Sequence, residues 1–363
     1  MYIHELSDWP RFSWNHQRIA ELLVQVRHQQ GRLIGGMESI GFHLREQTIL
    51  ETLTQDVVKS SEIEGEILDS SQVRSSVARQ LGIEQAALLP VDRNIDGVVE
   101  MILDATQNFD KPLTKERLFG WHRSLFSESG NKKITIGDWR KGPVYVVSGQ
   151  MGKEKIHFEA PPSARVDPEM ASFLKWINEE DSMDLVLKAA LAHLWFVTIH
   201  PFDDGNGRIG RAIADLLLAR SEKSSHRFYS LSQQIQIERK SYYAILEQTQ
   251  KGTLDVTNWI EWFLGCLERA IQEAFAVFET VLAKARFWEE IANVPLNDRQ
   301  RKVLNRLLDG FEGKLTSSKW AKIAKCSQDT AHRDIADLID KGILVKNLEG
   351  GRSSSYSLRI QKQ

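Results

Sequence analysis

Apolar residues recur along most of the chain at three- and four-residue intervals, the period of a helix with one buried face. Ile19, Leu22, Leu23 and Val26, continuing to Leu33 and Ile34, make the first such stripe, punctuated by Gly31, Gly35 and Gly36. Helical runs follow over 40–58, from Ser70 to a stop at Gly82, and from Val98 to Asn108 after a linker at 88–94 containing Pro90. Others cover Pro168 to Asn178, Asp184 to Ile199, Arg208 to Arg220, Ser241 to Leu246 and Val256 to Ala292. Residues 134–160 break the pattern. There Gly137, Gly142, Pro143, Gly149 and Gly152 surround Val144-Tyr145-Val146-Val147. β-Branched and aromatic residues between turn formers predict a strand and hairpin. Beyond Pro295 come helices at Arg299–Leu308 and Ser317–Ala324, then Asp329–Lys341 capped by Ser327. Short strands at 343–345 and 355–358 flank a turn, Glu349-Gly350-Gly351-Arg352-Ser353. The fold class is mainly α, with one hairpin inside a helical core and a helical module before it.

The length of 363 residues predicts two or three domains. Residues 1–94, 95–292 and 293–363 are the expected divisions. The 47 basic and 49 acidic residues exclude a uniformly basic nucleic-acid coat or a long acidic tail. The balance is uneven, however. From Leu296 onward there are 14 Lys/Arg and 8 Asp/Glu, so that segment carries +6 and the rest −8. Such asymmetry marks an interaction surface to test. Two cysteines, Cys266 and Cys326, cannot build a disulfide framework or a four-thiolate zinc site, and both are expected to be buried. The N-terminus carries Glu5 and Asp8 and lacks a signal peptide's apolar core, and Ala189–Ile199 is too short to span a bilayer. A cytoplasmic protein without a membrane partner is the expectation.

The chemistry concentrates in His200-Pro201-Phe202-Asp203-Asp204-Gly205-Asn206-Gly207-Arg208-Ile209-Gly210-Arg211. Glycines around an asparagine let backbone N–H groups converge, and the helix that follows adds its positive end. Arg208 and Arg211 share the helix's first turn, and their guanidinium forks suit phosphate oxygens. Asp204 is a hard oxygen ligand suited to Mg²⁺, and His200 is a candidate general base. Together they indicate phosphoryl or nucleotidyl transfer. Gly205, Gly207 and Gly210 also match the dinucleotide fingerprint G-x-G-x-x-G. That motif needs a strand running into its first glycine, and here a long Ala-rich helix and Pro201–Asp204 precede it.

The loop resembles the H-P-F-x-[D/E]-G-N-G-R-x-x-R signature of the Fic family, with nine specified letters present. The resemblance implies a helical Fic core that transfers AMP from ATP to a Ser, Thr or Tyr hydroxyl of a target protein and releases pyrophosphate. His200 would deprotonate that hydroxyl, and Asp204 would hold Mg²⁺ on the α- and β-phosphates. Asn206 and the N–H groups of Gly205, Gly207, Ile209 and Gly210 would surround the α-phosphate. Arg208 and Arg211 would grip the β- and γ-phosphates. Ser60-Ser61-Glu62-Ile63-Glu64-Gly65 resembles the family's inhibitory motif [S/T]-x-x-x-E-[G/N]. Ser60 and Glu64 are four apart and share a helix face, and a carboxylate there can pair with Arg211. Its place before the loop is the arrangement called class II.

The hairpin after Gly137-Asp138-Trp139-Arg140 resembles the family's flap. It would dock an extended target segment along 137–149, with Val146, Val147, Ser148 and Gly149 near the nucleotide. Tyr242, Tyr243 and Gln250 fall where family members contact the nucleoside, Gln250 standing where asparagine is common. Trp9-Pro10, Phe12 and the glycines at 31–36 resemble the helical module attached to many bacterial members. The last segment resembles a winged helix-turn-helix, whose third helix would be offered to DNA. Self-modification and a homodimer are expected by the same analogy. Three other readings stay open: a nucleotide-sensing DNA-binding regulator, removal of AMP by the same site, and transfer of UMP or phosphate.

Overall fold

The computed structural model describes residues 1–83, 89–126, 134–149, 155–180, 182–308, 311, 313–347 and 354–359. The chain divides into two compact units, Met1–Phe275 and Ala276–Gln363. The first holds α1 (His16–Ser39), α2 (Phe42–Ile63), α3 (Ser70–Leu81), α4 (Arg93–Gln107), α5 (Lys115–Leu125), α6 (Val166–Asn178), α7 (Leu185–Ile199), α8 (Asn206–Glu222), α9 (Leu231–Ile237), α10 (Arg239–Gln250) and the start of α11 (Thr257–Glu290). The module expected at 1–94 and the beginning of the core lie in this one unit, because α2 packs on α8 and α9 and α3 on α4. Two helices escape the apolar pattern. In α5 the buried Leu118, Trp121, His122 and Leu125 stand among charged residues, and α9 has only seven residues.

The centre of this unit is α7, buried from Val186 to Ile199. It has no polar face because it is enclosed, chiefly by α6 and α8. Asp184 caps it by accepting the Val186 N–H at 2.8 Å. A Cβ at Gly210 would lie 2.9 Å from Val197 Cγ1, so the absent side chain lets α8 close on α7. Before α6, β1 (Tyr145–Ser148) pairs antiparallel with β2 (Lys155–Glu159), with a register irregularity between Val146 and Val147. Gly152 lies outside the described residues.

In the second unit, α12 (Asp298–Leu308), α13 (Ser317–Ala324) and α14 (Gln328–Asp340) enclose Val303, Leu304, Trp320, Ile335 and Leu338. A hairpin of β3 (Leu344–Lys346) and β4 (Tyr356–Leu358) completes it, with Leu315 bridging Tyr356. The expected turn at 349–353 lies outside the described residues. Cys266 is buried as expected. Cys326 is only half-buried, since it follows the end of α13 and packs at the rim of the second core. Among the described residues no helix is long and apolar enough to cross a membrane.

Candidate active site

His200 ends α7 in the left-handed region, φ 53° and ψ 59°, uncommon for a residue with a side chain. Its N–H donates to the Phe196 carbonyl at 3.0 Å. Its Nδ1 lies 3.1 Å from the Val197 carbonyl. A carbonyl only accepts, so Nδ1 carries the proton and Nε2 keeps a lone pair. Burial lowers the ring's pKa, and the bond to Val197 only partly offsets that. The imidazole is therefore neutral at pH 7.

Three groups hold the loop that follows. Asn206 Oδ1 accepts the Phe202 N–H at 3.0 Å, and its Nδ2 donates to the Phe202 carbonyl at 2.9 Å. The Asn206 side chain is thus committed to closing the loop rather than turned toward a phosphate. Its main-chain N–H is what it has to offer an anion. His122 stacks on Phe202 with ring centroids 4.2 Å apart. Its Nδ1 accepts the Gly137 N–H at 3.0 Å, so Nε2 carries the proton and donates to the Asp204 carbonyl at 3.2 Å. Burial pushes the His122 pKa down to about 4. Arg140 is buried and grips the end of α7. Its guanidinium donates to the carbonyls of His200 at 2.7 Å, Gly142 at 2.8 Å and Pro161 at 2.5 Å, and its N–H reaches the Pro201 carbonyl at 2.9 Å.

The loop enters α8 two residues earlier than the apolar pattern suggests. Gly205, at φ 82°, takes the N-cap position that a side chain would strain. Gly207 matters for space. A Cβ there would sit 2.0 Å from Glu64 Oε1, so the Glu64 carboxylate rests directly over the first turn of α8. It pairs with Arg211, Nη1 to Oε1 at 2.8 Å. Arg211 is buried and also donates to Ser60, at 3.0 Å to Oγ and 2.7 Å to the carbonyl. Desolvation raises the Glu64 pKa, but the charge and hydrogen bond of Arg211 outweigh it and hold the carboxyl below its usual range. Beside them Arg208 Nη1 meets Glu66 Oε2 at 2.6 Å, and its guanidinium lies 5.3 Å over the Phe126 ring. Two carboxylates therefore stand on the two arginines expected to hold phosphates.

The remaining expected residues are placed as follows. Asp204 is exposed, with Oδ1 accepting the Gly205 N–H at 2.6 Å. Ile209 and Gly210 are buried against α7. Tyr242 is a core residue, its hydroxyl 2.8 Å from His193 Nε2. Gln250 is also buried, donating to Thr198 Oγ1 at 3.2 Å. The expected open nucleoside contacts there reduce to Tyr243, which is 36% exposed. Its hydroxyl stands 3.4 Å from Glu64 Oε2. On the hairpin Val146 is half-buried, while Val147, Ser148 and Gly149 are exposed. Ser148 Oγ meets His157 Nε2 at 2.5 Å, and His157 Nδ1 meets Glu247 Oε2 at 2.7 Å, which ties the hairpin to α10.

Sequence reasoning missed His122, Glu66 and the grip of Arg140. For His122 the chain carries no signal, since its partners are backbone groups far along the sequence. Arg140 stands at the head of the predicted hairpin, a long charged side chain in a segment otherwise of turn formers and apolar residues. Glu66 was visible as a second acid just past Glu64.

Residues 112–218 match the Fic/DOC family, and residues 2–83 match a domain of unknown function, DUF4172. A protein adenylyltransferase Fic from Culex quinquefasciatus is 26% identical over 225 residues, 61% of this chain and 41% of its own length. One from Nematostella vectensis is 25% identical over 235 residues, 63% of this chain and 50% of its own length. The chain thus spans about half the length of the curated relatives it matches. A Fic family protein from Desulfovibrio desulfuricans superposes with a TM-score of 0.55 at 21% identity, covering 95% of this chain and 97% of the other. Fic-1 from C. elegans gives 0.53 at 20% identity, covering 73% and 74%. The chain accordingly has a mainly helical fold like that of Fic proteins, with a small hairpin; residues 112–218 match the Fic/DOC family, and protein adenylyltransferases are among the proteins it resembles.

Proposed function

We propose that the chain transfers AMP from ATP to a hydroxyl of a target protein and is held inactive by Glu64. The observation that carries this reading is the Glu64 carboxylate over Gly207 and on Arg211, an anion in a cradle next to a neutral imidazole. A triphosphate would replace the carboxylates, with Arg208 and Arg211 on its β- and γ-phosphates and the main-chain N–H groups of Asn206, Gly207 and Arg208, which have no acceptor within the helix, toward the α-phosphate. His200 Nε2 would take the hydroxyl proton. The hydroxyl oxygen then bonds to the α-phosphorus as the bond to the β-phosphate breaks and pyrophosphate leaves. Fixed charges placed where charge develops supply most of such catalysis.

Asp204 offers one exposed carboxylate beside the cradle. That fits Mg²⁺, which takes few protein ligands and fills its shell with water and phosphate oxygens. When bound, the ion neutralises developing phosphate charge. The hairpin would dock an extended target segment, with Val146 to Gly149 near the nucleotide. Tyr243 would face the nucleoside, backed by Tyr242 and Gln250.

The test is ATP labelled on its α-phosphate, given with Mg²⁺ to the wild type, Glu64→Gly and His200→Ala. Glu64→Gly is expected to raise labelling of the chain or a target by more than about tenfold. His200→Ala should lower it by about 10²–10⁴-fold while the protein stays folded. Equal labelling of all three sinks the assignment. Activity of the wild type on AMP-modified protein would instead favour AMP removal.

The second unit supports a further reading, as a winged helix that binds DNA. The outward residues of α14 are Gln328, Asp329, His332, Arg333 and Asp340. Of its other acids Asp334 is buried, while Asp337 is held by neighbours with its side chain 45% exposed. Asp334 pairs with Arg299 at 2.9 Å, and Asp337 accepts from Gln300 at 2.6 Å and pairs with Lys341 at 2.6 Å. Duplex DNA should then raise fluorescence anisotropy with an affinity that falls steeply with salt. No binding at low salt removes this reading.

A further inference from the structure

The sequence motif accounts for one carboxylate on the arginines of the loop, but the structure holds two. The end of α2 explains how. Glu66 N–H donates to the Ser61 carbonyl at 3.0 Å, and Gly65 N–H donates to the Glu62 carbonyl at 3.0 Å. With Gly65 at φ 87°, these bonds form a Schellman turn in which Glu64 is the C-cap and Glu66 the second residue beyond it. The turn reverses the chain over a single glycine. Its two flanking carboxylates therefore face α8 together, Glu64 on Arg211 at 2.8 Å and Glu66 on Arg208 at 2.6 Å. Arg208 has little else. Its side chain is 8% exposed, it lies over Phe126, and its Nε is buried with no partner among the described residues. Glu66 is the carboxylate that neutralises this cation.

We infer that Glu66 is a second inhibitory residue, which withholds Arg208 from the nucleotide as Glu64 withholds Arg211. This rests on the reading of the loop as a nucleotide site. Because both carboxylates flank one turn, a ligand must compete with the two together, and only a ligand carrying several phosphates can place an anion on each arginine. Removing Glu64 alone leaves Arg208 paired. Removing Glu66 as well frees both cations.

The test compares the wild type, Glu66→Gln, Glu64→Gly and the double variant in the full-length chain. Calorimetric titrations with ATP and with AMP, each with Mg²⁺, are read beside α-labelled transfer. Glu66→Gln is expected to tighten ATP binding about two- to fivefold, the scale of a partly exposed ion pair. AMP, which has no β- or γ-phosphate, should bind it unchanged. The double variant should exceed Glu64→Gly in transfer by a similar factor. ATP and AMP affinities that both stay at their wild-type values, or that fall together, overturn the inference and leave Glu66 a structural residue. Failure of Glu64→Gly to transfer label would overturn the underlying reading, yet a gain in ATP over AMP binding by Glu66→Gln would still stand. Glu66→Asn, which also removes the charge on this part-exposed turn, serves if the glutamine variant does not fold.

Discussion

Arg140 and Arg211 are both buried arginines, and their surroundings differ in one decisive respect. Arg140 spends its guanidinium on main-chain carbonyls of the segments flanking the end of α7. Those acceptors are fixed parts of the scaffold, and no competing anion can take their place. Arg211 spends two bonds on Ser60 and its remaining nitrogen on a carboxylate from a separate helix, and an anion with better geometry can take that place. The same side chain is thus a permanent brace in one place and an exchangeable contact in the other. What decides between them is whether the acceptor is backbone or charge.

The comparison can be broken most forcefully at the brace. Arg140→Ala leaves several buried carbonyls without donors and should cost about 5 kcal/mol or more, read as a lowered urea midpoint. Lysine should rescue little, since it cannot reproduce the fork.

Acidification sharpens the contrast. The pKa values of His122 and His193 are pushed from 6.5 to about 4 by burial. Folded values below unfolded ones mean that stability is fully present above pH 6.5 and falls as the pH drops toward 4. At pH 5 the loss should be about 2 kcal/mol per ring, in chemical denaturation compared with pH 7. Glu64 behaves differently. Its folded pKa lies below the usual 4.5, so its contribution is present above 4.5 and lost only as the pH falls below that. At pH 5 the packing around His122 and His193 should therefore weaken while the Glu64 pair stays ionised, and His122→Phe should flatten part of the pH dependence.

Smaller changes probe the exchangeable contact. Ser60→Ala removes the acceptor of Arg211 Nε and should cost about 1–2 kcal/mol of stability. Gly65→Ala forces a side chain into the left-handed region at φ 87° and should cost about 1 kcal/mol, with a matching rise in ATP affinity as the turn loosens.

Much of this was legible in the chain. The stripe from Asp184 to Ile199 and the glycines after it predicted a helix, a cradle and a second helix, because each depends on near neighbours. The four-residue spacing of Ser60 and Glu64 put them on one face at the end of α2, and the resemblance of that stretch to an inhibitory motif supplied Arg211 as the residue they meet. Other features depend on distant partners. His122 looks like any polar residue of a mixed helix until Gly137 and Asp204 are brought to its two nitrogens. Tyr242 stands on the helix expected from Ser241 to Leu246 and Gln250 on its continuation, but the aromatic packing around Trp259 and the hydroxyl of Thr198 take them inward. Spacing says which residues share a face and leaves open what that face meets.

The contact of Ser60 with Arg211 spans 151 residues of chain. Synthesis runs from the N-terminus, and domains fold in that direction. The carboxylates of the α2 turn are therefore made well before α8. When Arg208 and Arg211 first reach a folded core, their partners are already in the nascent chain, so these two buried cations need never wait unpaired for their carboxylates.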